Sequence, residues 1–285
     1  MNKILLPIDF SENSENATEY ACQIALDGDF ELELVHVFSQ HSNTYLNAQS
    51  DTPLQDPRIK EAEINMKSVL EKIGNKYPEI KLSSTFRDGN LYDEIKKLTN
   101  AYDYSAIVMG TKGASGLEAL FIGSNTYDTI LNTKTPVFAI PINATGFKKN
   151  KIGLLCNFKE GEVKALAQAM PLLKNNFHLV LIHVNSTDKA INEIDNELRT
   201  WIEKLEGEFG KLDISYTIKP QTLFMRQKES VSQAITSVLI DEQVDILILT
   251  KSKKSVFRQL SETNVIKKMA FDIQIPTFFA RVDKD

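Results

Sequence analysis

Cysteine is scarce in this chain: Cys22 and Cys156 are the only two in 285 residues, and no CxxC pair occurs. That excludes a disulfide framework and a cysteine-rich zinc site. The four histidines, His36, His41, His178 and His183, never take HExxH spacing, so no metal ligand set is implied. No apolar run approaches the roughly 20 residues that a membrane span requires. The opening Met1-Asn2-Lys3-Ile4-Leu5-Leu6-Pro7 reaches Asp9 before a secretory apolar region could form. The expectation is therefore a cytoplasmic protein with no membrane partner. A positive excess is missing as well. Lys and Arg number 33 against 38 Asp and Glu, a net −5, which argues against nucleic acid as the main partner because phosphate neutralisation needs a basic face.

What remains is ordinary globular composition, 42% hydrophobic and 25% charged, at a length that suggests two domains of roughly 150 residues. The charge is unevenly shared. Residues 1–147 hold 12 basic and 20 acidic side chains, net −8, and the remainder holds 21 and 18, net +3. Opposite signs favour contact between the halves, though weakly at physiological salt.

The chain reads as one unit written twice. Lys3-Ile4-Leu5-Leu6-Pro7-Ile8-Asp9-Phe10 returns as Lys151-Ile152-Gly153-Leu154-Leu155-Cys156-Asn157-Phe158. Leu34-Val35-His36-Val37 returns as Leu181-Ile182-His183-Val184, and Ile107-Val108-Met109 as Leu247-Ile248-Leu249. A polar, Gly-containing stretch near Asn143–Asn150 marks the join. The expected domains are 1–145 and 149–285.

Within each half, short β-branched runs alternate with amphipathic segments. The first half offers strands at Lys3–Ile8, Glu31–Phe38, Lys81–Phe86, Ser105–Met109 and Val137–Ile140. The second offers Lys151–Leu155, Leu179–Val184, Asp213–Ile218, Ile246–Leu249 and Thr277–Ala280. Ile59, Ala62, Met66, Val69, Leu70 and Ile73 share one face at a 3.6-residue period, predicting a helix with that face in the core. Strands apolar on both faces, alternating with helices, imply a parallel sheet covered on both sides, an α/β fold. Ser39–Pro57 is the one long irregular stretch, read as a disordered excursion with a flap over a site as the alternative.

Four of the 12 glycines fall between Gly110 and Gly123, directly after a predicted strand. The spacing, G-x2-G-x9-G-S, is neither a P-loop nor a dinucleotide fingerprint. Its physics still suits phosphate. Gly110 and Gly113 let backbone N–H groups approach an anion, and Gly123-Ser124 open a helix whose N-terminus favours negative charge. A tight turn followed by a helix cap explains the same residues without a ligand. Asp9 ends the first strand as Gly110 ends the fourth. With strand order 3-2-1-4-5 the two flank the topological switch point, where such sheets bind ligands; a carboxylate there suits a ribose hydroxyl or an adenine amino group.

The segment Lys3 to Glu12, the run Leu34-Val35-His36-Val37 and the pattern Gly110-x2-Gly113-x9-Gly123-Ser124 together resemble the universal stress protein family. The likeness extends over both halves. It implies two flavodoxin-like domains of the adenine nucleotide alpha hydrolase kind, each a five-stranded parallel sheet in the order 3-2-1-4-5 with helices on both faces. It implies that Asp9 contacts adenosine with Pro7 beside it, and that the backbone of Val37 meets adenine. Met109, Gly110, Lys112, Gly113, Gly123, Ser124 and Asn125 match the family's ribose- and phosphate-binding loop. The implied cofactor is ATP, AMP or ADP, with or without magnesium. The implied role is stress response or signalling through an unknown protein partner. A slow ATPase or phosphotransferase and a ligand-free interaction scaffold are the competing readings.

The second half departs from this pattern. Gly110, Gly113, Gly123 and Ser124 correspond to Thr250, Lys253, Thr263 and Asn264, and Asp9 to Asn157, so this half is expected to have lost the nucleotide. Lys251, Lys253, Lys254 and Arg258 read as a solvated basic turn. His36 and His183, at equivalent strand ends among apolar neighbours, read as packed, hydrogen-bonded histidines. Cys22 and Trp201 read as core. The fifth strands, Val137–Ile140 and Thr277–Ala280, would each leave an unpaired edge. The expectation is that they pair within the chain as a pseudo-dimer, with a homodimer of whole chains open.

Overall fold

The computed structural model describes residues 2–38, 57–111, 123–174, 176–226, 229–251 and 274–282. Lys112, Gly113, most of the Ser39–Pro57 stretch, the side chain of Lys251, and Lys253, Lys254, Arg258, Thr263 and Asn264 lie outside the described residues. The chain divides into two compact units that part between Ile142 and Asn143.

The first unit runs β1 (Lys3–Pro7), α1 (Glu12–Gly28), β2 (Glu31–Phe38), α2 (Pro57–Lys76), β3 (Leu82–Asp88), α3 (Leu91–Ala101), β4 (Ala106–Gly110), α4 (Ser124–Asn132) and β5 (Val137–Ile140). Its strands are parallel, in the order β3-β2-β1-β4-β5. Ile4, Leu5 and Leu6 of β1 and Ile107 and Val108 of β4 have no exposed surface, the two-sided burial that a covered parallel sheet imposes. Right-handed crossovers put α1 and α2 on one face and α3 and α4 on the other, where α3 packs against α4. Ser11 caps α1 by accepting from Ser14 N–H, with Glu12 and Glu15 in the first turn. Asp29 closes the same helix in the left-handed region, φ 56°. Asn90 caps α3 by accepting from the N–H groups of Tyr92 and Asp93.

The second unit runs β6 (Lys151–Leu155), α5 (Glu160–Leu173), β7 (His178–Val184), α6 (Ile191–Phe209), β8 (Asp213–Lys219), α7 (Gln221–Arg226), α8 (Val231–Asp241), β9 (Ile246–Lys251) and β10 (Thr277–Arg281). Its parallel order, β8-β7-β6-β9-β10, is that of the first unit. Gly110 pairs with Ile140 in one unit and Thr250 with Ala280 in the other, so the two strand registers correspond at the offset read from the sequence. Among the described residues no helix is long and apolar enough to cross a membrane.

Every expected strand is present, with ends shifted by at most two residues. The face read on α2 needs correction. Ala62, Met66 and Ile73 are buried, but Ile59 is 36% exposed and Val69 and Leu70 are only half-buried. Periodicity reports which residues share a face, and the described residues leave part of that face only half-buried.

Candidate functional site

The carboxyl ends of β1, β2 and β4 converge at the switch point of the first unit. β1 stops there by a specific device. Ile8 N–H makes the last ladder bond, to Val35 O at 2.9 Å, and Ile8 O is then met at 2.9 Å by Nδ1 of His36. The chain turns away through Phe10, whose φ of 61° is unusual for a bulky side chain. The Phe10 ring lies tilted on His36, centroids 4.7 Å apart, and His36 also meets the edges of Phe38 and Phe86. The second unit repeats the ladder end, the turn and the histidine bond. Phe158 has φ 60°, its ring lies 5.2 Å from that of His183, and His183 Nδ1 bonds Cys156 O at 2.8 Å. Both histidines are the packed, hydrogen-bonded residues expected, and burial holds His183 below its ordinary pKa.

Ladder geometry then decides what Val37 offers. Alternate residues of a strand direct their N–H and C=O to the same neighbour. Val35 faces β1, so Val37 faces the same side, beyond the point where β1 has stopped. Pro7 and Met109 are buried strand residues, so they shape the wall rather than reach from it. Asp9 is exposed. Its Oδ1 accepts from Ser11 N–H at 3.1 Å and Ser11 Oγ at 2.6 Å, so the carboxylate also holds the residue that caps α1.

Around the end of β4, the structure brings together residues that lie far apart in the chain. Thr126 Oγ1 donates to Gly110 O at 2.9 Å, and Gly123 N–H donates to Thr111 O at 2.6 Å. Gly123 is the N-cap of α4 and contributes no side-chain cap. The first intrahelical bond, Tyr127 N–H to Gly123 O at 3.0 Å, leaves the N–H groups of Ser124, Asn125 and Thr126 ahead of it. Ser124 and Asn125 are exposed. Two expectations change here. The N–H of Gly123 is already committed to Thr111. Gly110 lacks a side chain for a packing reason, because a β-carbon there would sit 2.5 Å from Asn13 Oδ1.

At the matching place in the second unit stands a residue that the sequence reading missed. Glu162 takes the position of Ser14, its Oε1 accepting from Asn157 N–H at 2.6 Å where Ser14 Oγ accepts from Asp9 N–H at 3.3 Å. It is 2% exposed, Oε2 lacks a hydrogen-bond partner among the described residues, and burial pushes its carboxyl up to about 7. The 148-residue offset pairs Ser14 with Glu162 and is the signal that could have found it.

An open parallel sheet in the order 3-2-1-4-5, with a carboxylate, two strand ends and a helix N-terminus at its switch point, defines the class: a doubly wound α/β protein with a crevice at the place where such sheets bind ligands. Residues 1–141 match the universal stress protein family, a span that ends within the first unit. The chain is 28% identical over 138 residues to Universal stress protein MJ0531 of Methanocaldococcus jannaschii, covering 48% of this chain and 81% of that protein. It is 26% identical over 145 residues to Universal stress protein YxiE of Bacillus subtilis, covering 49% of this chain and 98% of that one. A universal stress protein from Archaeoglobus fulgidus shares the fold over 98% of both chains, with a TM-score of 0.72 at 21% identity.

Proposed function

We propose that the first unit binds one adenine nucleotide, ATP, ADP or AMP, and that the second unit binds none. The observation that carries this reading is the convergence at one switch point of Asp9, the outward-turned backbone of Val37 and the N-terminus of α4. In this reading Val37 meets the adenine edge and Asp9 takes a ribose hydroxyl or the amino group. Ser124 and Asn125 receive phosphate through backbone N–H, together with Lys112 and Gly113 of the preceding loop. Pro7, Met109 and Gly110 form the wall. The second unit descends from the same ancestral unit, and Asn157, buried Glu162 and Thr250 replace the features a nucleotide would need. The role is stress response or signalling in the cytoplasm, exerted by binding rather than turnover.

The test is mass spectrometry of the nucleotide released on denaturing the purified protein, followed by calorimetry of the stripped protein. One adenine nucleotide per chain is expected. Two equivalent sites, or none, would reject the reading.

A further inference from the structure

Residues of α1 and α2 line a cavity of about 600 Å³ that includes Phe10 but not Asp9 in its walls. Ile8, Phe10, Cys22, Val69 and Ile73 line its apolar part, and it reaches the core: Ile8, Cys22 and Ile73 are 6%, 1% and 6% exposed. Val69 belongs to the periodic apolar face of α2, yet it borders this space instead of a packed neighbour. The sequence writes a core position that the chain's described residues leave unfilled.

The polar groups around the rim are matched to one another. Lys72 pairs with Glu15 at 3.8 Å and Lys76 with Glu19 at 2.7 Å, and the Tyr77 hydroxyl also donates to Glu19. Thr18 Oγ1 donates to Ser14 O at 2.7 Å. Burial raises the Glu19 carboxyl, but the bonds from Lys76, Tyr77 and Gln23 outweigh it and leave it below its ordinary range. Burial pushes the Cys22 thiol up to about 12, so the floor carries no charge at neutral pH. A charged ligand would lose hydration here without meeting an unpaired counter-charge. An apolar ring would restore dispersion contacts that the lining lacks, and the volume falls within the roughly 300–1,000 Å³ of small-molecule sites.

We propose that this cavity is a second small-molecule site, separate from the crevice at Asp9, for a neutral ligand carrying one or two apolar rings. The ring lies between Phe10 and the Val69–Ile73 edge of α2, beneath the paired Glu19, Lys76 and Tyr77.

The experiment uses the full chain and the neutral fluorophore N-phenyl-1-naphthylamine. Saturable binding of one probe per chain is expected, with excess ATP failing to displace it. Val69→Trp, which fills the space, should weaken binding at least tenfold, whereas Ile64→Ala, at an exposed position of α2 outside the lining, should leave it unchanged. Should Val69→Trp fail to fold by circular dichroism, Cys22→Met supplies a smaller filling change, expected to weaken binding severalfold. Absence of saturable binding, displacement by ATP, or equal affinity in all folded filling variants would overturn the proposal. Equally tight binding of the anionic 1-anilinonaphthalene-8-sulfonate would overturn the assignment to a neutral ligand.

Discussion

Asn13 stands where a side chain on Gly110 would have to go. A β-carbon at 110 would lie 2.5 Å from Asn13 Oδ1, 2.8 Å from its Cγ and 2.9 Å from its backbone oxygen. The glycine at the end of β4 thus lets the first turn of α1 settle on the sheet, and Asn13 Nδ2 continues to Ile140 O at 3.4 Å. Gly110→Ala should therefore cost about 1–3 kcal/mol, the usual penalty of overpacking. Asn13→Ala in the same chain should recover part of it, since the side-chain clash disappears and the backbone one stays. Urea unfolding measures both, and an unchanged midpoint in Gly110→Ala would show that α1 gives way freely.

Asp9 has two tasks that substitution separates. Asp9→Asn keeps an oxygen to accept from Ser11 N–H, so stability should change by less than about 1 kcal/mol. It removes the charge, and nucleotide affinity should fall at least tenfold by calorimetry. The reciprocal change, Asn157→Asp, should create no second site, because Thr250 still stands where the first unit has Gly110 and the buried carboxyl of Glu162 where it has Ser14. Heat of binding for two nucleotides in Asn157→Asp would contradict this account of the second unit.

Glu162 makes stability depend on pH with an unusual sign. Burial is the largest influence on it, opposed by bonds from the backbone of Asn157 and Lys159, and the result is a value of about 7 against an ordinary 4.5. A carboxyl with a raised folded pKa binds its proton more tightly in the folded state. Stability should therefore fall as pH climbs from about 4.5 to about 7, by an amount on the order of 3 kcal/mol. His183, held below 6.5 by burial, slopes the other way, so the comparison must be between variants. Glu162→Gln keeps the acceptor for Asn157 N–H and removes the titration. Its advantage over wild type should grow between pH 5 and 8 in paired melting curves, and a constant difference would disprove the buried charge.

The sheet was legible because its strands are apolar on both faces, a pattern that only a covered parallel sheet demands. Asp9, Gly110, Gly123 and Ser124 were legible as the ends of elements, since a carboxylate and glycines interrupt apolar runs there. Their reasons were not. That Gly110 yields to Asn13 depends on a contact across nearly a hundred residues. That His36 takes the carbonyl of Ile8 requires knowing where β1 stops. Glu162 hides inside an ordinary first helical turn, where acidic residues are common for dipole reasons. Val69 looked like core because periodicity assigns a face without saying whether anything packs against it.

Ser124 is the most discriminating position in the proposed nucleotide site. It is the first residue of α4, where proline is well tolerated because the N–H has no intrahelical partner. Gly123 before it has φ −61° and ψ 147°, an extended conformation compatible with a following proline. Ser124→Pro should leave the helix intact and the melting temperature within a few degrees, while deleting both the hydroxyl and the backbone donor. If phosphate is held by backbone N–H groups, ATP affinity should fall at least tenfold in Ser124→Pro and much less in Ser124→Ala, which loses the hydroxyl alone. AMP, whose single phosphate lies nearer the ribose, should respond less than ATP. Equal losses in the two variants would assign the contact to the hydroxyl, and no loss in either would place the phosphates away from α4.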